Sequence, residues 1–137
     1  MKEIKVGEYV RTRGGGIYKI TNIIPYYEND KLDYDEQIVE FDQQFSNWKI
    51  WQVISFIVKH SFDIKDLVQA GDIILYNVNS KMTDIEIVKE HIDARTQEKT
   101  LRVGLWSLEQ VKIKEILTKE QFDSRKYIVG DESNVCN

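Results

Sequence analysis

The chain has 137 residues, 42% of them hydrophobic and 31% charged, with three Trp, seven Tyr and five Phe. That is the size and mixture of one ordinary domain that buries a core without disulfide or metal support, and it excludes a largely disordered chain. Net charge is −4, from 23 acids against 19 Lys and Arg, which disfavours a general nucleic-acid binder because such proteins carry positive charge to displace counterions.

The elements read in chain order as mainly β. Glu8 to Arg13 predicts a strand, Gly14-Gly15-Gly16 a tight turn, and Ile17 to Ile24 the returning strand, which Pro25 ends because it cannot donate to a ladder. Tyr26 to Asp35 reads as a polar, acidic loop and Gln37 to Phe41 as a short strand. Trp48 to Lys59 also fits a helical stripe, but its five β-branched residues and three aromatics favour one strand buried on both faces. Ser61 predicts the cap of a short helix through Val68, with Asp63 and Asp66 near its positive end and Gly71 closing it.

Asp72 to Val78 is the next expected strand. Ile85 to Ile92 follows, with apolar positions that switch parity between Ile87 and Val88, the mark of a bulge. Thr100 to Leu105 alternates, placing Leu101, Val103 and Leu105 on one face, and Val111 to Ile116 is a further strand. Thr118-Lys119-Glu120-Gln121 is a capping box that opens a last short helix. Tyr127 to Val129 adds a final strand, before a polar tail over 131–137. Lys5-Val6-Gly7-Glu8-Tyr9-Val10 echoes Gln69-Ala70-Gly71-Asp72-Ile73-Ile74: glycine, acid, two strand residues, then a turn and a second strand. The expected organisation is one β-rich domain over 1–130, with the echo allowing two related hairpin units over 1–60 and 61–130.

The first hairpin, glycine–acid–aromatic–Val–Arg–Thr, a glycine turn, then Ile-x-Lys-Ile, resembles the opening of SH3-like small barrels of the KOW and Tudor type. The fold expected is therefore a small SH3-like barrel or a strongly twisted antiparallel sheet with two short helices. Over most of its length the chain also resembles a group of short proteins of Gram-positive bacteria and their phages. Val6-Gly7-Glu8-Tyr9-Val10-Arg11-Thr12, Val58-Lys59-His60-Ser61 with Asp66-Leu67-Val68 and Gly71-Asp72, and Ile113 to Phe122 carry that likeness. It implies no activity, only a setting of prophage or mobile-element cargo, where accessory proteins often inhibit a host defence by binding it.

From Glu28 to Asp42 there are seven acids and one base, beside the apolar corner Ile23-Ile24-Pro25-Tyr26-Tyr27. Rings next to a charged rim are the composition of a protein-recognition patch. The expected partner-binding residues are Tyr26, Tyr27, Asp30, Asp33, Asp35 and Glu36, facing a basic host protein. Extended through Glu40 and Asp42, the same acids suggest a nucleic-acid mimic. The competing reading is a solvated loop.

A second function places nucleic acid on the first hairpin, where Tyr9, Arg11, Arg13, Tyr18 and Lys19 interleave rings with cations. Here Tyr9, Arg11 and Arg13 share a strand face, so stacking and phosphate pairing act together. The competing reading is a basic edge that discourages aggregation. A third function is capture of a small charged ligand such as a signalling nucleotide.

Catalysis, cofactor and metal are not expected. His60 and His91 stand far apart, with neither near a second ligand type, and His60 reads as a satisfied residue at a strand end. Ser has no nucleophile elbow, the triple glycine no following Lys, and Asp33-x-Asp35 no glycine at the sixth position of a calcium loop. One cysteine, Cys136, and the lack of an apolar leader or membrane run predict a cytoplasmic protein with no membrane partner.

Overall fold

The computed structural model describes residues 3–33, 36–45, 48–79, 83–125 and 129. It is mainly β, a set of small antiparallel sheets with one short α-helix. β1 (Tyr9–Thr12) and β2 (Ile17–Ile24) form the expected hairpin around the glycines. β3 (Tyr27–Glu28) and β4 (Lys31–Leu32) pair with each other and, among the described residues, with no other strand. β5 (Ile38–Phe45), β6 (Trp48–Val53) and β7 (Ile57–Ser61) complete a five-stranded sheet of order β6-β5-β2-β1-β7. Its core is Ile4, Val10, Ile20, Val39, Phe41, Ile54 and Ile57.

Two expectations change in this half. Trp48 to Lys59 is not one strand, because a 3-10 turn at Ile54–Phe56 separates β6 from β7 and sends the chain back against β1. Tyr26 to Asp35 is not simply loop. Asn29 and Asp30 both adopt left-handed φ, 53° and 63°, which makes the two-residue turn whose twist suits a hairpin.

The second half begins with β8 (Ile73–Asn77), followed by β9 (Thr83–Ile87) and β10 (Lys89–Ile92). β11 (Lys99–Val103), β12 (Trp106–Ser107) and β13 (Lys112–Leu117) follow. The sheet orders are β13-β8-β9 and β10-β11-β12. β9 and β10 are one run broken at the parity switch, where Val88 turns into the core. With that run taken as continuous, the two halves share an order: last strand, first, second, third, fourth. In each half a 3-10 turn, Ile54–Phe56 or Leu108–Gln110, precedes the last strand. A second core, Val68, Ile74, Tyr76, Val88, Val103, Leu108 and Val111, is separate from the first. Leu105 departs from its expected face: it follows Gly104 in a turn and is 90% exposed.

The sequence echo recurs bond for bond. Gly7 and Gly71 hold φ of 96° and 98°. Gly7 N donates to Ile20 O (2.9 Å) and Ile20 N to Glu8 O (2.8 Å); Gly71 N donates to Val88 O (2.9 Å) and Val88 N to Asp72 O (2.7 Å). Each acid then reaches back three residues. Lys5 N donates to Glu8 Oε2 (2.7 Å) and Gln69 N to Asp72 Oδ2 (2.8 Å).

Of the two expected helices, the first is a 3-10 helix, Ile64–Leu67, capped by Asp63 rather than Ser61; Asp63 accepts from Lys65 N at 3.0 Å. The second is α1 (Lys119–Arg125), opened by the expected box: Gln121 N donates to Thr118 Oγ1 and Thr118 N to Gln121 Oε1. Tyr127, Ile128 and the tail over 131–137 lie outside the described residues, and Val129 is not in a strand. No helix among the described residues is long and apolar enough to cross a membrane.

Candidate functional site

The five residues of the basic hairpin do not form one surface. β1 alternates, so Tyr9 and Arg11 share a face, but that face is covered at Arg11 by the second half of the chain. The Arg11 side chain is fully buried. Its Nη1 donates to Asp72 Oδ2 (2.6 Å) and Leu67 O (2.9 Å), and Nη2 to Asp72 Oδ1 (2.9 Å) and Glu120 Oε1 (2.5 Å).

Burial works against the charge on Arg11, and the hydrogen bonds to Asp72 and Glu120 outweigh it, so the guanidinium holds its proton more tightly than usual. Arg11 therefore clasps the two halves and offers nothing to a phosphate. The sequence signal lay in the echo, which makes Asp72 the structural counterpart of Glu8, an acid that also ends up buried.

Tyr18 is likewise structural in part: its ring stacks on Phe41 with centroids 4.5 Å apart. Lys19 Nζ sits 5.7 Å from the centre of the Tyr9 ring on the same rung. Arg13 is exposed and lies over Phe56 at 5.1 Å, beside a polar groove of about 280 Å³ that Tyr18, Gln52, Gln121 and Ser124 help to line. The structure thus keeps Tyr9 with Lys19 and places Arg13 in the groove, while withdrawing Arg11.

His60 follows the same logic as Arg11. Its Nδ1 is 2.8 Å from Glu8 Oε1, so the histidine closes the first half's turn acid as Arg11 closes the second's. His91 is exposed on β10. Among the described residues, no three His, Cys, Asp or Glu side chains gather in a way that holds a metal ion.

The acidic corner presents differently. Ile24, Tyr26 and Tyr27 are 40%, 46% and 60% exposed. The β3–β4 hairpin carries Tyr27 and Glu28 on one arm and pairs them with Leu32 and Lys31 on the other. Asp33 N closes its base by donating to Tyr26 O at 2.8 Å. Glu28, Asp30 and Glu36 are exposed, Asp33 is half-buried, and Asp35 lies outside the described residues.

The acidic run does not line one edge from end to end. Asp42 accepts from Lys19 N (3.0 Å) and Glu40 from Asn22 Nδ2 (3.3 Å), so both serve the contact of β5 with β2. What remains is a compact projection: two exposed tyrosines on a short two-stranded turn with carboxylates around it. Exposed rings beside charge can desolvate against a partner while the charge steers approach. Compared with protein-family models, curated proteins and solved structures, the chain matches none.

Proposed function

We propose that the chain is a non-catalytic binding protein of phage or mobile-element type that engages a basic host protein, such as a component of a defence system, through the β3–β4 hairpin. The observation that carries this reading is the pair Tyr26 and Tyr27, more than two-fifths exposed on a hairpin whose backbone is already ordered by a two-residue turn. Ordering in advance of binding lowers the entropy lost on contact. The shared strand order and repeated glycine–acid turn support a further part of the proposal, that the scaffold is two tandem SH3-like units. In that arrangement the connection from the second strand to the third is free to project from each unit.

The test is capture from a host lysate, with and without nuclease. A partner retained through nuclease treatment and lost on joint Tyr26→Ala and Tyr27→Ala replacement supports the proposal. Joint Glu28→Lys and Glu36→Lys replacement slows association with a basic partner by about tenfold at low salt. Capture unchanged by both pairs of changes removes this surface from consideration.

A further inference from the structure

In the second half the paired second and third strands continue outward as the β10–β11 ribbon, and its chemistry differs from that of the acidic hairpin. Every residue from Lys89 to Thr100 is exposed, so the two strands stand clear of the core over most of their length. Their register sets Lys89 directly opposite Arg102, and His91 opposite Thr100 on the next rung of the same face. Glu90 with Leu101 and Ile92 with Lys99 occupy the reverse face.

Two cations opposed on neighbouring strands repel, and an isolated protein gains nothing from that arrangement. Among the described residues neither the Lys89 nor the Arg102 side chain takes part in a hydrogen bond or ion pair. Both line a depression of about 310 Å³ at the base of the ribbon with Glu86, Ile87 and Gly104. Glu86 lines the same depression but, among the described residues, forms no ion pair with either cation. Gly104, at φ 59°, keeps the floor open; a side chain there would strike Glu86.

We infer that the Lys89–Arg102 face of the β10–β11 ribbon binds the phosphate backbone of a nucleic acid. Opposed residues on such a rung have Cβ atoms about 5 Å apart, so the ammonium and guanidinium can converge on one phosphate. A two-stranded ribbon exposed on both faces also has the cross-section that enters a duplex groove. Against an overall charge of −4, the ribbon from Lys89 to Arg102 is slightly positive: Lys89, Arg95, Lys99 and Arg102 stand against Glu90, Asp93 and Glu98. The site is separate from the hairpin of the proposed function, and either reading can fail without the other.

Binding is measured by fluorescence anisotropy of short labelled oligonucleotides, single- and double-stranded, at low salt. The parent protein should bind one or both. Joint Lys89→Glu and Arg102→Glu replacement should weaken binding by at least about tenfold and lower the log–log salt slope by about 2. Joint Lys89→Gln and Arg102→Gln replacement should give an intermediate loss, and Arg13→Glu with Lys19→Glu should leave affinity within about twofold. Since both target side chains are exposed, an unchanged melting temperature accompanies the loss.

Three results overturn the inference: no binding by the parent at low salt, binding insensitive to the Lys89 and Arg102 changes, or loss that follows Arg13 and Lys19 instead. Displacement of the oligonucleotide by polyglutamate at lower concentration than by unlabelled nucleic acid assigns the face to an acidic protein and also overturns it.

Discussion

Replacing Arg11 with Met keeps much of the side chain's volume and removes its charge. Asp72 then retains its bonds from Gln69 N and Lys119 N, while Leu67 O loses its donor and Glu120, partly exposed, returns to water. Breaking a buried ion pair by removing one partner costs about 3–5 kcal/mol, which for a chain of this length lowers the melting temperature by roughly 10–15 °C. Asp72→Ala should cost at least as much, because it leaves a fully buried guanidinium with only Leu67 O and the partly exposed Glu120, and strands two backbone N–H donors. Among the described residues the Nε of Arg11 already has no partner, so no spare hydrogen bond is available to absorb the loss.

The decisive measurement is a double-mutant cycle by urea denaturation. If the clasp acts as described, the double variant is less destabilised than the sum of the singles by at least about 1.5 kcal/mol; additivity within about 0.5 kcal/mol refutes the coupling. Loss of the clasp should also separate the unfolding of the two cores, so fluorescence and circular dichroism midpoints that coincide in the parent should diverge in Arg11→Met.

Gly15→Ala should destabilise by about 1–3 kcal/mol in thermal denaturation, since Gly15 holds φ 87° and an added Cβ strikes Thr118 and Glu120, whereas Gly14→Ala has open space and should not. Burial, and after it Glu86 and Asp84, raise the Tyr76 pKa above its ordinary value of 10.0. The unfolded tyrosine therefore loses its proton first and stability falls as pH rises above about 10, a decline that Tyr76→Phe should blunt in urea midpoints taken across that range. Backbone N–H donation from Thr96 and Arg95 holds the Asp93 carboxyl below its ordinary range, so NMR should show it titrating below the usual aspartate value, and an ordinary midpoint would contradict the loop geometry.

The elements that sequence pattern could locate are those with local punctuation. Three glycines marked the first hairpin, Thr118 and Gln121 marked the start of α1, and the parity switch at Val88 marked the break between β9 and β10. The turn at Ile54–Phe56 carries no glycine or proline, so nothing local divided β6 from β7. The β3–β4 turn rests on Asn29 and Asp30, residues that tolerate left-handed φ but do not announce it as glycine does.

The exposed tyrosines were legible because apolar residues beside acids stand out in a linear reading. Arg11 was not. Alternation assigns it a face, and only tertiary contact reveals that Leu67, Asp72 and Glu120 occupy that face. The Lys89–Arg102 pair was invisible for the same reason, since the residues are remote in sequence and meet only through strand register.

The anchors of Arg11 also set an order of events during synthesis. The first core draws on nothing after Ile57, so it can assemble while much of the chain is still unmade. Its central charged side chain then waits, first for Asp72 and at the end for Glu120. Thr118, whose hydroxyl donates to Gly15 O at 2.8 Å, arrives at the same late stage. A nascent chain stalled before α1 would hold a folded first half with a half-satisfied cation at its open face, vulnerable to proteases and to mispairing. α1 seals the first strand, so the clasp is complete only once Glu120 has left the ribosome.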